Sequence, residues 1–265
     1  MDQKELIDRI TKEVMKRLNA ESDVHEENKP VNISSSPSHQ KMSAAELAGY
    51  IDHTLLKPEA VVTQFEKLCD EAVKYKFKSV CVNSSWIPFV AKKLRGTGVK
   101  ICSVIGFPLG EMDTRSKAFE ARNAVGNGAE ELDMVINVGA LKSGNLKLVE
   151  EDIRAIRRVC RRTTILKVIL ETGLLTDAEK IIACEISRKA GADFVKTSTG
   201  FSGSGATVHD VALMRRIVGP HMGVKASGGI RNFDQAVALI DAGATRLGCG
   251  ASVDVITGAE SQGNY

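Results

Sequence analysis

GADFVKTSTG, residues 191–200, has two echoes in the chain, GAEELDMV (128–135) and GATRLGCG (243–250). Each begins with Gly-Ala and runs straight into a short β-rich segment. Together with helical patterns between strands, this repetition marks alternating helices and parallel strands. Working outward, eight segments read as strands: GYIDHTL, KSVCVN, VKICSVI, ELDMVIN, ILKVILE, DFVKTST, GVKAS and TRLGC. Helices with legible ends lie between them. Ser43 starts the first with a capping box, SAAE; Thr63 with Glu66 and Thr176 with Glu179 give the same signature, the latter helix ending at Gly191. Thr207 opens a helix that stops at Gly219-Pro220, and Asn232 one that stops at Gly243. Eight strands alternating with helices fit an α/β fold closed as a (β/α)8 TIM barrel, over residues 43–265. A doubly wound open sheet is the second reading, but no GxGxxG follows the first strand and no Walker motif occurs.

The bulk composition is that of a globular chain. Its 265 residues are 43% apolar and 26% charged, and a net charge of +3 gives no case for nucleic acid or membrane binding. No apolar run approaches a membrane span, and the charged N-terminus lacks a signal-peptide core. Cys69, Cys81, Cys102, Cys160, Cys184 and Cys249 show no CxxC spacing and read as free thiols of a cytoplasmic protein. The histidines show no HxxxH or HExxH spacing, so no dedicated transition-metal site is expected; no cofactor is expected either.

Four consecutive strands carry a charge where an apolar side chain is due: Asp133, Lys167, Lys196 and Lys225. A parallel barrel buries both strand faces, and a lysine is tolerable only in the interior, towards the C-terminal mouth. With neighbouring strands about 4.8 Å apart, the four groups converge on one pocket. A structural ion-pair cluster is one reading. Three lysines against one aspartate, with Glu171 the next acid, favour another. Two ammoniums about 5 Å apart repel by about 3 kcal/mol at an effective dielectric near 20, which with desolvation carries one lysine from about 10.4 towards neutrality. A neutral lysine is a nucleophile for carbonyls.

Glycine-rich loops follow the last three strands. Gly228 and Gly229 precede the helix at Asn232, Gly248 and Gly250 follow the eighth strand, and Thr199 and Gly200 lie on the adjacent rim. Ordinary turn chemistry accounts for any one of them. Together, beside a lysine pocket, they read as the phosphate side of a barrel site for a small phosphorylated carbonyl compound.

IDHTLLKPEA, SVCVN, VIGFPLG, ELDMVINVGALKSG, LKVILET, GADFVKTSTGF, GATVHDV, MGVKASGGIR and GATRLG together resemble the deoxyribose-phosphate aldolases across residues 43–252. The resemblance implies a metal-free, Schiff-base TIM-barrel aldolase that reversibly cleaves 2-deoxy-D-ribose 5-phosphate to acetaldehyde and D-glyceraldehyde 3-phosphate. It matches Lys196 to the Schiff-base lysine, Lys225 to the second lysine that favours its neutral form, Asp133 and Lys167 to a proton-relay pair, and Asp52 to a further active-site acid. It also implies a homodimer. Two points depart from or extend the pattern. The family's serine after the last strand's glycine is absent from Gly248-Cys249-Gly250, leaving Ser252 as the nearest substitute. Some members end in a tail whose terminal tyrosine reaches the site, which makes Tyr265 a candidate beside a tail with no function. The alternatives are a class I aldolase for a related sugar phosphate and a phosphosugar-binding scaffold without turnover.

Residues 1–20 place Leu6, Ile7, Ile10, Val14 and Leu18 at helical spacing, and residues 21–42 are polar and aperiodic, as in a flexible linker. The pair resembles the encapsulation peptides that direct enzymes into bacterial microcompartments, with shell proteins as partners. A helix packed on the barrel or on a dimer partner has the same pattern.

Overall fold

The computed structural model describes residues 42–258. The amphipathic segment 1–20, the linker up to residue 41 and Tyr265 lie outside the described residues. Eight strands form in chain order: β1 (Ile51–Leu55), β2 (Ser79–Val82), β3 (Lys100–Ile105), β4 (Glu131–Val135), β5 (Ile165–Ile169), β6 (Phe194–Lys196), β7 (Gly223–Ser227) and β8 (Arg246–Cys249). Each falls inside one of the eight segments read from the sequence. They pair in order, all parallel, and β8 returns to β1, closing the barrel.

The helices are α1 (Ala44–Ala48), α2 (Val62–Tyr75), α3 (Ile87–Lys93), α4 (Thr114–Gly126), α5 (Val138–Lys142), α6 (Leu146–Val159), α7 (Asp177–Lys189), α8 (Val208–Val218), α9 (Phe233–Asp241) and α10 (Ser252–Thr257). Ser43 and Thr176 complete capping boxes with Glu46 and Glu179, and the Thr207 and Asn232 side chains accept N–H bonds at their helix starts. Caps of this kind contribute about 1 kcal/mol each. Thr63 is a correction. Helix α2 begins one residue earlier, where Gln64 Oε1 accepts the Val61 N–H at 2.9 Å, and Thr63 sits within the first turn.

Strand side chains alternate between two environments, as a period of two requires. Leu132, Met134, Leu166, Val168, Val195, Val224 and Leu247 belong to the large apolar core shared with the helices. Their neighbours Glu131, Asp133, Lys167, Lys196, Lys225 and Arg246 turn the other way, into the barrel, and all are buried. A small apolar cluster of Leu56, Cys81, Cys102 and Val104 shares that interior. All six cysteines are free and five are buried. Among the described residues no helix is long and apolar enough to cross a membrane.

Candidate active site

The register sets charged groups side by side. Asp133 on β4 faces Lys167 on β5, and Lys196 on β6 faces Lys225 on β7, which in turn faces Arg246 on β8. Asp133 is the hub. Its Oδ1 accepts from Lys167 Nζ at 2.8 Å and from Cys102 Sγ at 3.1 Å. Its Oδ2 accepts from Lys196 Nζ at 2.9 Å and from Lys225 Nζ at 2.8 Å. The four residues singled out by their charge thus meet at one carboxylate.

The balance of charge differs from the sequence expectation. Lys225 also bonds Asp52 Oδ2, while Arg246 bridges Asp52 Oδ1 at 2.7 Å and Glu131 Oε2 at 2.8 Å. Lys167 lies 2.5 Å from Glu131 Oε2 and 3.7 Å from Asp52. Three carboxylates (Asp52, Glu131, Asp133) therefore meet four cations (Lys167, Lys196, Lys225, Arg246), not one acid against three lysines. Glu171 is not among them: β5 ends at Ile169, the chain turns into the left-handed region at Glu171 (φ 59°), and the carboxylate takes the Thr199 hydroxyl at 2.5 Å.

Burial raises the cost of ionising Asp133, but Lys167, Lys196 and Lys225 outweigh it and hold its carboxyl well below the usual range. The same contest lowers Asp52, where Lys225, Lys167 and Arg246 overcome burial. Burial disfavours the charge on Lys225 and Lys167. For Lys225, Asp133 and Asp52 reverse that effect and hold it above the ordinary lysine value; for Lys167, Asp133 leads a larger anionic set to the same result. Both are fixed cations. Lys196 stands apart, because Asp133 is its one carboxylate partner among the described residues, and it ends its strand at the mouth.

A cavity of about 150 Å³ opens at the ends of β6, β7 and β8, lined by Gly200, Ser204, Gly229, Arg231, Gly248 and Gly250 among others. Four of the expected phosphate glycines are thus brought together. Close backbone approach builds the wall: a Cβ on Gly205 would fall 2.3 Å from the Gly228 carbonyl oxygen, and one on Gly248 would fall 3.1 Å from Lys225 Cε. Gly228 supports this wall without lining the cavity. Three expectations do not place a group there. The Thr199 hydroxyl is taken by Glu171, Asp52 lies deep in the ion-pair cluster, and Ser252 turns to His53 Nδ1 at 2.9 Å. The buried Ser204 hydroxyl at the cavity makes no hydrogen bond to the protein.

A barrel with a lysine at its mouth beside a glycine-walled cavity has clear relatives. The family model for DeoC/LacD aldolases matches residues 1–258. The chain belongs to the DeoC/LacD aldolase family. It is 60% identical over 216 residues to the deoxyribose-phosphate aldolase of Streptococcus gordonii, covering 82% of this chain and 98% of that protein. It is 57% identical over 219 residues to that of Geobacillus sp., covering 83% and 98%. Among solved structures, the deoxyribose phosphate aldolase of Aeropyrum pernix, described as having a unique tetrameric structure, superposes with a TM-score of 0.76 at 36% identity, covering 81% of this chain and 91% of that one.

In this aldolase, Glu131, Arg246, Arg231 and Cys102 complete the surroundings that sequence reasoning left out. Two of them carried a signal. Glu131 precedes Asp133 by two residues and so shares its face, and Arg246 is a charge inside the eighth strand. Arg231 and Cys102 carried none, since a loop arginine and a strand cysteine are ordinary.

Proposed function

We propose that this chain is a deoxyribose-phosphate aldolase that works through a Schiff base on Lys196. The observation that carries the assignment of the nucleophile is the unequal pairing of the three interior lysines. Among the described residues, Lys167 meets three carboxylates and Lys225 two, whereas Lys196 meets Asp133 alone. Freeing Lys196 for chemistry breaks one contact instead of several.

Lys196 gives up a proton, for which Asp133 Oδ2 at 2.9 Å is the nearest acceptor. The amine lone pair then attacks C1 of the open-chain sugar, and Asp133 returns that proton to the carbinolamine hydroxyl, which leaves as water and gives an iminium. Asp133, paired with Lys167 and acting through a water, removes the C3 hydroxyl proton. The C2–C3 electron pair flows into the iminium, releasing D-glyceraldehyde 3-phosphate and leaving an enamine. Protonation of the enamine at C2 and hydrolysis release acetaldehyde and restore the amine. The glycine-walled cavity with Arg231 receives the 5-phosphate, whose charge its backbone N–H groups and guanidinium favour. The iminium is the electron sink, so the scheme calls on no metal.

Steady-state assays on deoxyribose 5-phosphate and fructose 1,6-bisphosphate, before and after dialysis against a chelator, test this reading. Turnover of the first substrate, unchanged by the chelator, is expected. Preference for the second, or no turnover of either with phosphosugar binding intact, overturns it.

A further inference from the structure

A chain of polar groups on the outer side of β1 reaches the same cavity and takes no part in the chemistry above. His53 is buried between β1 and the helices, its ring 5.0 Å from that of Phe77. Its Nε2 lies 2.9 Å from Glu71 Oε2 on α2, and its Nδ1 lies 2.9 Å from Ser252 Oγ at the start of α10. The Ser252 hydroxyl donates to the Cys249 carbonyl at 2.9 Å. Cys249 ends β8, directly across from His53 in the ladder.

The segment between the two ends of that last bond is Gly250-Ala251, and both residues line the cavity. A turn of this kind has little of its own to hold it. Gly250 brings the conformational freedom of glycine, and Ala251 offers no polar side chain. Among the described residues, the side-chain bond that spans it comes from Ser252, and Ser252 is oriented by His53, which Glu71 orients in turn.

We propose that Glu71, His53 and Ser252 form a positioning relay that holds the Cys249–Ser252 turn in the shape that receives the substrate's phosphate. None of the three touches the reacting carbons, so their effect falls on phosphate recognition and leaves the Schiff-base step intact. The inference rests on the phosphate assignment made for the cavity.

The test compares deoxyribose 5-phosphate with unphosphorylated deoxyribose as substrates of the full chain, using Glu71→Gln and Ser252→Ala. Both variants are small changes of shape, and thermal melts check that they fold. In each, KM for deoxyribose 5-phosphate rises while its kcat holds, and the kcat/KM ratio between the two substrates falls about fivefold, the equivalent of one lost hydrogen bond of about 1 kcal/mol. Inorganic phosphate inhibits the variants correspondingly less. An equal loss on both substrates, or a ratio unchanged in both variants, overturns the relay. If the unaltered chain itself shows no preference for the phosphorylated sugar, the phosphate assignment fails and the relay fails with it.

Discussion

Replacing Asp52 by asparagine isolates the ion-pair cluster with little change of shape. Asp52 is wholly buried, its Oδ1 accepting from Arg246 at 2.7 Å and its Oδ2 from Lys225, with Lys167 3.7 Å away. Asparagine keeps one acceptor oxygen and replaces the other with an amide donor. Either Arg246 or Lys225 then faces a donor, and the interior passes from one cation in excess to two. Removing one partner of a buried pair typically costs about 3–5 kcal/mol, mainly because the remaining charge stays buried without compensation. For a domain of this size, a loss of about 3 kcal/mol lowers Tm by about 6–12 °C. Urea unfolding and calorimetry read both quantities. Adding Arg246→Met to Asp52→Asn removes the stranded cation and should recover part of the loss. If Asp52→Asn lies within about 1 kcal/mol of the unaltered protein, the cluster is not the compensated buried network described.

Other expectations follow from the same geometry. Gly205→Ala sets a Cβ 2.3 Å from the Gly228 carbonyl, so the cavity wall shifts; KM for the phosphorylated substrate should rise about tenfold or more, about 1.4 kcal/mol, with kcat nearly held. An unchanged KM would separate this wall from phosphate binding. Asp133 and Asp52 are depressed below 3.8 when folded, so their contribution to stability is complete above that pH and is lost as pH falls through their folded values. Lys167 and Lys225 are raised above 10.5, so theirs is complete below that pH and is lost as pH rises through their folded values. The stability difference between the unaltered protein and Asp52→Asn should therefore stay flat from about pH 5 to 9 in urea titrations, and a slope there would contradict these shifts. From the sequence alone, we propose that residues 1–20 target the enzyme to a microcompartment: deleting residues 1–40 should leave turnover intact and abolish co-purification with shells, and lost turnover would refute that role.

Much of this was legible in the chain, and the rest was hidden for physical reasons. The strands were readable because capped helices punctuate them: Thr176 with Glu179, Thr207 and Asn232 each satisfy orphan N–H groups where the pattern placed them. Thr63 misled because the true cap position, Val61, has no side-chain hydroxyl to mark it, and only Gln64, three residues on, binds the Val61 N–H. Asp133, Lys167, Lys196 and Lys225 were legible because a buried charge in a strand is costly and needs a partner. The same rule reaches Glu131 and Arg246, which add one charge of each sign, and it is Asp52 that brings the excess of cations down from two to one. Glu171 fell outside any strand rule, because its direction is set by a left-handed turn beyond β5. Ser252 is the nearest substitute for the serine the family resemblance leads one to expect, but a long-range bond to His53 decides where it points.

The most direct measurement is borohydride reduction in the presence of acetaldehyde, followed by peptide mapping of the modified lysine. The expected product is a single reduced adduct on Lys196, the lysine held by one carboxylate, with Lys167 and Lys225 unmodified. An adduct on either of those two, or none in a preparation that turns over substrate, would contradict the assignment of the nucleophile.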